Sequence, residues 1–239
     1  MRLADGLHRV GNDIVACYLV ADTDGVTLFD AGLAGQWNEF LAELAAMGRT
    51  LGDVRAVVLT HGDEDHLGFA ERLRRDHGVP VWVHESDAGR ARGEGKPPVA
   101  WGRVRPLPLL RFLGYAAGRG GLRTTYLREV RTFTAGERLP VPGAPLVVGM
   151  PGHSPGSVAL HVPALDAVVV GDALTTRHVL TGEEGPRPAP FTDDPRAALD
   201  SLAALERLDA RWVLPGHGAP WDRGTAEAVR HVRQATPVG

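Results

Sequence analysis

The sequence predicts an α+β protein with a single domain, on three observations. The chain has 239 residues and is 44% hydrophobic, which suits one core and leaves little room for two independent domains. Residues 14–84 alternate between short apolar runs typical of strands and helical patterns. Residues 146–170 hold a second set of strand-like runs, and helical patterns follow them toward the end of the chain.

Turn residues and apolar spacing predict the elements of the first half. The pair Asp24-Gly25 separates two strand-like runs, which is a strong signal of a hairpin. The run RAVVLT ends directly at His61 and is typical of a buried strand. The predicted elements are a hairpin over 14–29, a helix over 36–47, a strand over 55–60, a helix over 69–77 and a strand over 79–84.

In the second half of the chain, three strands are predicted first, followed by a helix, a further strand and a last helix. Apolar runs between turn residues indicate the strands, and helical spacing indicates the helices. The predicted elements are strands over 146–148, 158–162 and 167–170, a helix over 195–208, a strand over 212–214 and a helix over 225–234.

Residues 86–131 interrupt this order and are interpreted as an insertion. The segment is rich in Pro, Gly and Arg, and its ten basic and three acidic residues give it a charge of +7, against −10 for the rest of the chain. Within it, arginines flank the apolar stretch 106–117. This pattern fits a lid over a site, a homodimer contact or an interfacial helix on anionic lipid, and a lid is preferred.

Composition argues against several classes of function. A net charge of −3 gives no global attraction to nucleic acid or to an anionic membrane, so neither nucleic-acid binding nor stable membrane anchoring is expected. The single cysteine, Cys17, excludes an intrachain disulfide and a Cys-rich zinc site. Residues 1–11 lack a signal-peptide pattern, and no apolar run is long enough for a membrane-spanning helix. We therefore expect a cytoplasmic protein.

The segment HGDEDH at positions 61–66 is the strongest candidate for a functional site. It gathers His61, Asp63, Asp65 and His66 into one turn at the end of a predicted strand, and core packing offers no reason for such a cluster. A solvated acidic loop with incidental histidines is the alternative. Three later turns disfavour that alternative.

Each later turn follows a predicted strand and holds one further candidate ligand. His153 lies in PGHSPGS, Asp172 in VVVGD and His217 in LPGHG. Glycines beside these residues allow sharp turns and remove side-chain bulk around an imidazole ring. Histidines and carboxylates in such a set indicate a metal site.

An HxHxDH-like turn followed by GHSPGS, GDAL and PGHG resembles the metallo-β-lactamase-fold superfamily of hydrolases over nearly the whole chain. The resemblance implies an αββα sandwich, in which two mixed sheets pack face to face between outer helices. It also implies that Asp65 orients the nucleophile and handles its proton. The ligands that it implies are His61 and His153 in a first metal site, Asp65, His66 and His217 in a second, and Asp172 bridging the two metals.

Asp63 departs from the family pattern, which has a second histidine at this position. Asp63 can ligate directly, ligate through water, or leave the first site weak or empty, and direct ligation is preferred. A carboxylate ligand favours harder metals, so iron and manganese join zinc as candidates. We expect two divalent metal ions, with zinc favoured.

The predicted function is metal-dependent hydrolysis of a small-molecule ester, thioester or lactone by a metal-activated water. A nuclease or phosphodiesterase of the same superfamily is one alternative, although it would bring further motifs after His217. A diiron redox protein is another, although it would bring a flavin domain and a Glu at the position of Asp63. A non-catalytic metal-binding protein is the last alternative. True β-lactamase activity is disfavoured because no signal peptide is expected.

Other residues are weighed against simpler roles. Asp30 follows a strand and matches a family aspartate that supports the metal-binding turn by hydrogen bonding. Tyr115 and Tyr126 are candidates for polarising a substrate carbonyl, although packing within the lid is the simpler interpretation. Glu64 is expected to point away from the metals and His84 to be structural. The loop 181–191 is expected to border the pocket.

Overall fold

The structure is a computed structural model that describes residues 1–98 and 101–236, so residues 99 and 100 of the predicted insertion lie outside it. The strands of its first sheet are β1 (Arg2–Ala4), β2 (Leu7–Gly11), β3 (Ala16–Ala21), β4 (Val26–Phe29), β5 (Val54–Val58), β6 (Val81–His84) and β7 (Arg131–Phe133). They neighbour one another in chain order. The pairs from β1 to β4 are antiparallel, and those from β4 to β7 are parallel.

A second sheet of four strands faces the first, and a two-stranded sheet lies beside it. The remaining strands are β8 (Leu146–Gly149), β9 (Val158–Val162), β10 (Ala167–Gly171), β11 (Thr175–Arg177), β12 (Glu184–Arg187) and β13 (Trp212–Pro215). The four-stranded sheet has the order β13-β10-β9-β8, and only its β10–β13 pair is parallel. Strands β11 and β12 form the small sheet.

The helices of the described residues lie mainly outside the two large sheets. They are α1 (Trp37–Ala46), α2 (Glu64–Leu67), α3 (Ala70–His77), α4 (Ala88–Ala91), α5 (Pro106–Gly118), α6 (Pro195–Glu206) and α7 (Thr225–Ala235). Helix α1 buries Phe40 and Leu44 against the first sheet, and each fully buried side chain of this size contributes about 1.5–3 kcal/mol. Helices α6 and α7 cover the outer face of the second sheet.

Alternating side chains on the strands define three apolar layers. On β3, Cys17 and Leu19 face the core shared with α1 and α3, whereas Tyr18 and Val20 face the core between the sheets. Strand β10 alternates in the same way between the inter-sheet core and the core under α6 and α7. The α+β class and the αββα sandwich are therefore confirmed.

The predicted helices and hairpin agree with the structure. The elements that were not predicted are the helices α2, α4 and α5 and several short or polar strands. The strand predicted over 55–60 ends at Val58, because the next residues begin a turn. Strand β2 was missed because it carries His8 and Arg9, which are buried beside the carboxylates of Glu43 and Asp13. Strands β1, β7, β11 and β12 were missed as well, since their sequences, RLA, RTF, TTR and EGPR, contain no apolar run.

The part of the chain that the structure describes holds no helix that is both long enough and apolar enough to cross a membrane.

Candidate metal centre

Loops at one edge of the two large sheets carry seven candidate ligands. Strands β10 and β13 are parallel neighbours, so their carboxyl ends meet at this edge. Six of the seven side chains are buried, and Asp65 is half-buried. The candidate ligands are His61, Asp63, Asp65 and His66 after β5, His153 between β8 and β9, Asp172 after β10, and His217 after β13.

Asp172 lies between two clusters of candidate ligands. Its Oδ2 atom is 3.1 Å from Nε2 of His217 and 3.8 Å from Nε2 of His153. Ligand atoms within each cluster lie within 4.8 Å of one another. This spacing is close to what two metal–ligand bonds of about 2.0–2.2 Å allow. The first cluster is His61, Asp63 and His153, and the second is Asp65, His66 and His217.

Each of the four histidines has its Nδ1 atom held by a protein oxygen. Nδ1 of His66 donates to Asp30 at 2.8 Å, and Nδ1 of His217 donates to the carbonyl of Ile14. Nδ1 of His61 lies 3.0 Å from the Thr60 hydroxyl, which donates its own proton to Asp30.

His153 follows the same rule. Its Nδ1 atom lies 3.2 Å from the Thr192 hydroxyl, which itself donates to the carbonyl of Ala189. In the neutral form of each ring these partners favour the Nδ1–H tautomer, which leaves the Nε2 lone pair free to bind a metal. Metal-ligating histidines are held in this way.

Three buried polar atoms at the centre have no hydrogen-bond partner among the described residues. They are Nε2 of His61, Nε2 of His66 and Oδ1 of Asp172. An unpaired buried polar atom costs about 1–3 kcal/mol, so such atoms are rarely left without a partner. His61, His66 and Asp172 themselves form a third group whose ligand atoms lie within 4.8 Å of one another. The donor set of imidazole nitrogens and carboxylate oxygens fits divalent zinc or iron.

Asp63 is held from behind by two cations. Nε and Nη2 of Arg90 donate to its two oxygens at 2.6 and 2.8 Å, and Nζ of Lys96 donates to Oδ1 at 3.1 Å. Oδ2 also lies 3.3 Å from Nε2 of His153 and 3.8 Å from Nε2 of His61. Each carboxylate oxygen has two acceptor sites. Arg90 and Lys96 therefore use both sites of Oδ1, while Oδ2 keeps one that faces the histidines.

Carboxylates dominate the electrostatics of this centre. Burial alone would raise the pKa of Asp63, but hydrogen bonds with His153 and Arg90 and the charge of His61 hold it well below its usual range. Burial would lower the pKa of His66, but Asp30 and Asp172 raise it to about 10. For His217, Asp172 overcomes burial in the same way and raises the pKa to about 9. The centre therefore attracts cations.

Asp30 connects the first ligand turn to β4. Its Oδ1 atom accepts from the backbone N–H of Thr60 at 2.8 Å, and Oδ2 accepts from both Thr60 and His66. The residue is buried and has a φ of 59°, a conformation that Asp tolerates better than most residues. These contacts are those of a residue that orients the turn.

Asp87 and Arg90 were missed by the sequence analysis, which assigned both to the insertion. The buried Asp87 carboxylate accepts from the backbone N–H groups of Gly62 and Gly156 and from the Ser154 hydroxyl, at 2.6–2.8 Å. It thereby joins the turn at 61–66 to the turn that carries His153. The signal available in the sequence was an aspartate shortly after a strand, as at Asp30.

Gly216 lets the last turn approach the ligands. A Cβ atom at this position would lie 2.5 Å from Cε1 of His66 and 2.7 Å from Oδ1 of Asp172. Real Cβ contacts are essentially never this short, so any other residue would displace one of these side chains. The PGHG sequence therefore places His217 beside the other ligands without steric conflict.

A cavity of about 770 Å³ opens above the ligands. Its floor includes Asp63, Asp65, His153, Asp172 and His217, and Glu64 and Lys96 lie on one side. The rest of the wall is largely apolar. Its main side chains are Trp101, Phe112, Leu113, Ala116, Leu122 and Phe191. The volume lies within the usual range for a small-molecule site of about 300–1,000 Å³.

The remaining candidates divide between the cavity and the scaffold. Tyr126 lines the cavity and its hydroxyl lies 3.3 Å from Glu64, whereas Tyr115 lies outside the lining and contacts Gln36 at 3.4 Å. Glu64 binds Lys96 at 2.6 Å. Nδ1 of His84 accepts from the backbone of Ser86, a structural contact. From the loop 181–191, Phe191 reaches the cavity.

Known proteins resemble this chain in sequence. The family model of the Metallo-beta-lactamase superfamily matches residues 10–217. Probable metallo-hydrolase YflN of Bacillus subtilis (strain 168) is 27% identical over 235 residues, which cover 91% of this chain and 85% of that protein. Uncharacterized protein YobT of the same strain is 25% identical over 232 residues, covering 94% of this chain and 91% of that protein.

Solved structures resemble it in fold. The metallo-beta-lactamase family protein TTHA1429 from Thermus thermophilus has a TM-score of 0.70 and 24% identity, covering 98% of this chain and 81% of that chain. TTHA1623 in a di-iron-bound form has a TM-score of 0.64 and 28% identity, covering 93% of this chain and 96% of that chain.

Proposed function

Because the chain belongs to the metallo-beta-lactamase superfamily and is a metal-dependent hydrolase, we propose that it cleaves an ester, thioester or lactone whose acyl portion is apolar. The main observation that supports this proposal is the cavity above the candidate ligands. Its floor holds five of the candidate ligands, and its walls offer aromatic and aliphatic side chains that an acyl chain can contact. A charged or highly polar group at the position of the acyl portion would lose its hydration against such walls without compensation.

We propose two divalent metal ions as the cofactors. The first would be held by His61, Asp63 and His153, the second by Asp65, His66 and His217, with Asp172 between them. When bound, divalent metals in such a centre supply Lewis acidity and lower the pKa of a bound water to about 7. Zinc suits the imidazole-rich set, while Asp63 and the di-iron-bound form of TTHA1623 make iron the main competitor.

Asp63 acts in this proposal as a direct ligand through Oδ2 alone. Arg90 donates hydrogen bonds to both oxygens of Asp63, and Lys96 occupies the second acceptor site of Oδ1. The carboxylate therefore cannot rotate to present both oxygens to a metal. The rigid guanidinium fork fixes the short Asp side chain where a longer histidine stands in the family motif.

Asp65 is proposed to hold the proton that the reaction moves. It lines the cavity, and its side chain is 25% exposed, against 8% for Asp63 and 5% for Asp172. Its Oδ2 atom lies 3.3 Å from Nε2 of His217, which keeps the carboxylate beside the ligand cluster. A carboxylate in this position can accept a proton from the nucleophile and return it to the leaving group.

Lys96 is proposed to anchor the polar end of the substrate. Its ammonium group has three donors, of which two bind Asp63 and Glu64. The third has no partner among the described residues, and the side chain lines the cavity. The donor therefore suits a carbonyl or carboxylate oxygen of the substrate.

A panel of nitrophenyl esters, thioesters, lactones and a phosphodiester, assayed with zinc-loaded and iron-loaded protein, tests this function. We expect carbonyl substrates to be hydrolysed, with kcat/KM rising with acyl chain length. Phe112→Ala should lower kcat/KM for a long-chain ester about tenfold and leave a short-chain ester nearly unchanged, since its lost contact is apolar. Preferential cleavage of the phosphodiester, or Asp172→Ala protein with unchanged activity, would contradict the proposal.

A further inference from the structure

Helix α5 is anchored to the protein on one side only. Phe112, Tyr115 and Ala116 pack against a small apolar cluster that includes Ile14 and Leu33. None of the thirteen residues of the helix is buried, although nearly all are apolar. The helix therefore has an inner side that forms part of the cavity wall and an outer side that no residue of 1–98 or 101–236 covers.

The outer face of α5 is apolar and exposed. Leu107, Leu110 and Leu113 are 78%, 65% and 42% exposed. At about 100° per residue, these leucines share one face with Gly114 and Ala117, which are exposed too. Leu122, just beyond the helix, is 79% exposed. Exposed apolar patches of this kind mark surfaces that bind a partner or a membrane.

The chain segment around this face is basic, and two acidic residues near it, Glu183 and Glu39, already pair with Arg105 and Arg119. Between positions 95 and 128 the chain has seven lysines and arginines and no acidic residue. Arg111, the single charged residue of α5, and Arg123 are exposed and have no ion-pair partner in residues 1–98 and 101–236. Arg103 and Arg105 are exposed beside the amino end of the helix.

We propose that the outer face of α5, with Leu122 and the surrounding arginines, binds reversibly to an anionic lipid surface. Leucines facing one way from a basic rim are the pattern of an interfacial helix, whose apolar side chains enter the acyl boundary while arginines meet lipid phosphates. A second copy of this chain fits poorly, because a symmetric contact would bring together two surfaces on which Arg111 and Arg123 have no ion-pair partner among the described residues.

The same surface borders the cavity mouth. Leu113 and Leu122 are exposed on the outer face and also line the cavity. Docking on lipid would therefore place the mouth against the acyl region of the leaflet. Lipid binding by this face does not depend on the proposed substrate class, because it involves the outer side of α5.

Vesicle sedimentation of the full-length protein tests the proposal. The probes are phosphatidylcholine vesicles and phosphatidylcholine vesicles containing phosphatidylglycerol, at low and physiological salt. We expect binding to the anionic vesicles that weakens with salt. Arg111→Glu/Arg123→Glu should weaken it at least about thirtyfold, because each basic residue near such a surface contributes about 1 kcal/mol, or about fivefold in affinity. The matched control is Arg207→Glu/Arg230→Glu, at exposed positions on α7 and after α6.

A second variant separates the apolar contribution from the basic one. Leu107→Ser/Leu110→Ser keeps every charge and alters only exposed side chains, so it should fold normally by circular dichroism and still lose most of the binding. Absence of binding to anionic vesicles at low salt would overturn the proposal. Equal binding by the control and the charge variant would also overturn it, as would a concentration-dependent dimer in sedimentation velocity that the leucine variant abolishes.

Discussion

Asp63→His would restore the second histidine of the family motif, and we expect it to destabilise this protein. Arg90 binds both oxygens of Asp63, and the two side chains are only 7% and 8% exposed. The substitution would place an imidazole against this buried guanidinium. Among the described residues, Asp193, 2.7 Å from Nη1, would be the only carboxylate left to Arg90.

The expected loss follows from the buried pair. Removing one partner of a buried ion pair costs about 3–5 kcal/mol, because the other charge remains without compensation. Asp193 still offsets part of the Arg90 charge, so we expect a loss near the lower end, about 3 kcal/mol. Asp63→His/Arg90→Gln removes the unpaired charge and should recover at least about 1 kcal/mol of that loss.

Urea unfolding of metal-free protein, followed by circular dichroism at neutral pH, measures these differences without interference from metal binding. Arg92→Gln is the matched control, because Arg92 lies in the same segment and, in the part of the chain that the structure describes, pairs only with the exposed Glu94. An Asp63→His protein as stable as the wild type would refute the reasoning. A double variant less stable than Asp63→His would refute it as well.

Four further predictions concern the same centre and its scaffold. A chelator should abolish hydrolysis and lower the thermal midpoint, since a ligand at about 1,000 times its Kd stabilises the folded state by about 4 kcal/mol; unchanged activity in chelator would count against a metal enzyme. Asp87→Asn should lower the free energy of unfolding by about 2 kcal/mol in a urea titration, because hydrogen bonds from Gly62, Ser154 and Gly156 converge on this carboxylate, whereas Asp5→Asn, on a fully exposed side chain, should have no effect. Gly216→Ala should weaken metal binding about 10–100-fold in a competition titration, because the new Cβ would collide with His66 and Asp172, while Gly52→Ala, whose Cβ would have its nearest neighbour at 3.6 Å, should not. A hydrogen bond from Arg74 lowers the pKa of Glu71, so this carboxylate stabilises the fold above pH about 4.3; the urea-midpoint difference between wild type and Glu71→Gln should be full at neutral pH and shrink as the pH falls below about 4.

The candidate ligands could be predicted because local patterns reveal where strands end. His61 follows an apolar run, Asp172 follows β10 directly, and His217 follows β13 after one glycine. Parallel strands align their carboxyl ends, so residues at several strand ends meet without any further signal. The layers were predictable for a similar reason, since alternating or continuous apolar runs mark buried strands.

The charged residues that hold the ligand turns, Asp87 and Arg90, could not be predicted in the same way. Arg90 lies 27 residues from Asp63 and 103 from Asp193, and no local sequence pattern predicts either ion pair. The polar sequence around Asp87 and Arg90 is typical of an exposed loop, yet pairing allows both side chains to be buried. The outer face of α5 shows the reverse, because its apolar sequence suggests burial and the structure exposes it.

The most direct test of the central claim is anomalous diffraction from crystals of the protein grown with zinc. We predict two metal positions, one among His61, Asp63 and His153 and one among Asp65, His66 and His217, with Oδ2 of Asp63 bound to the first. A single metal among Asp65, His66 and His217, with Asp63 bound only to Arg90 and Lys96, would contradict the proposed role of Asp63. Absence of any metal from both clusters would contradict the account of the centre as a whole.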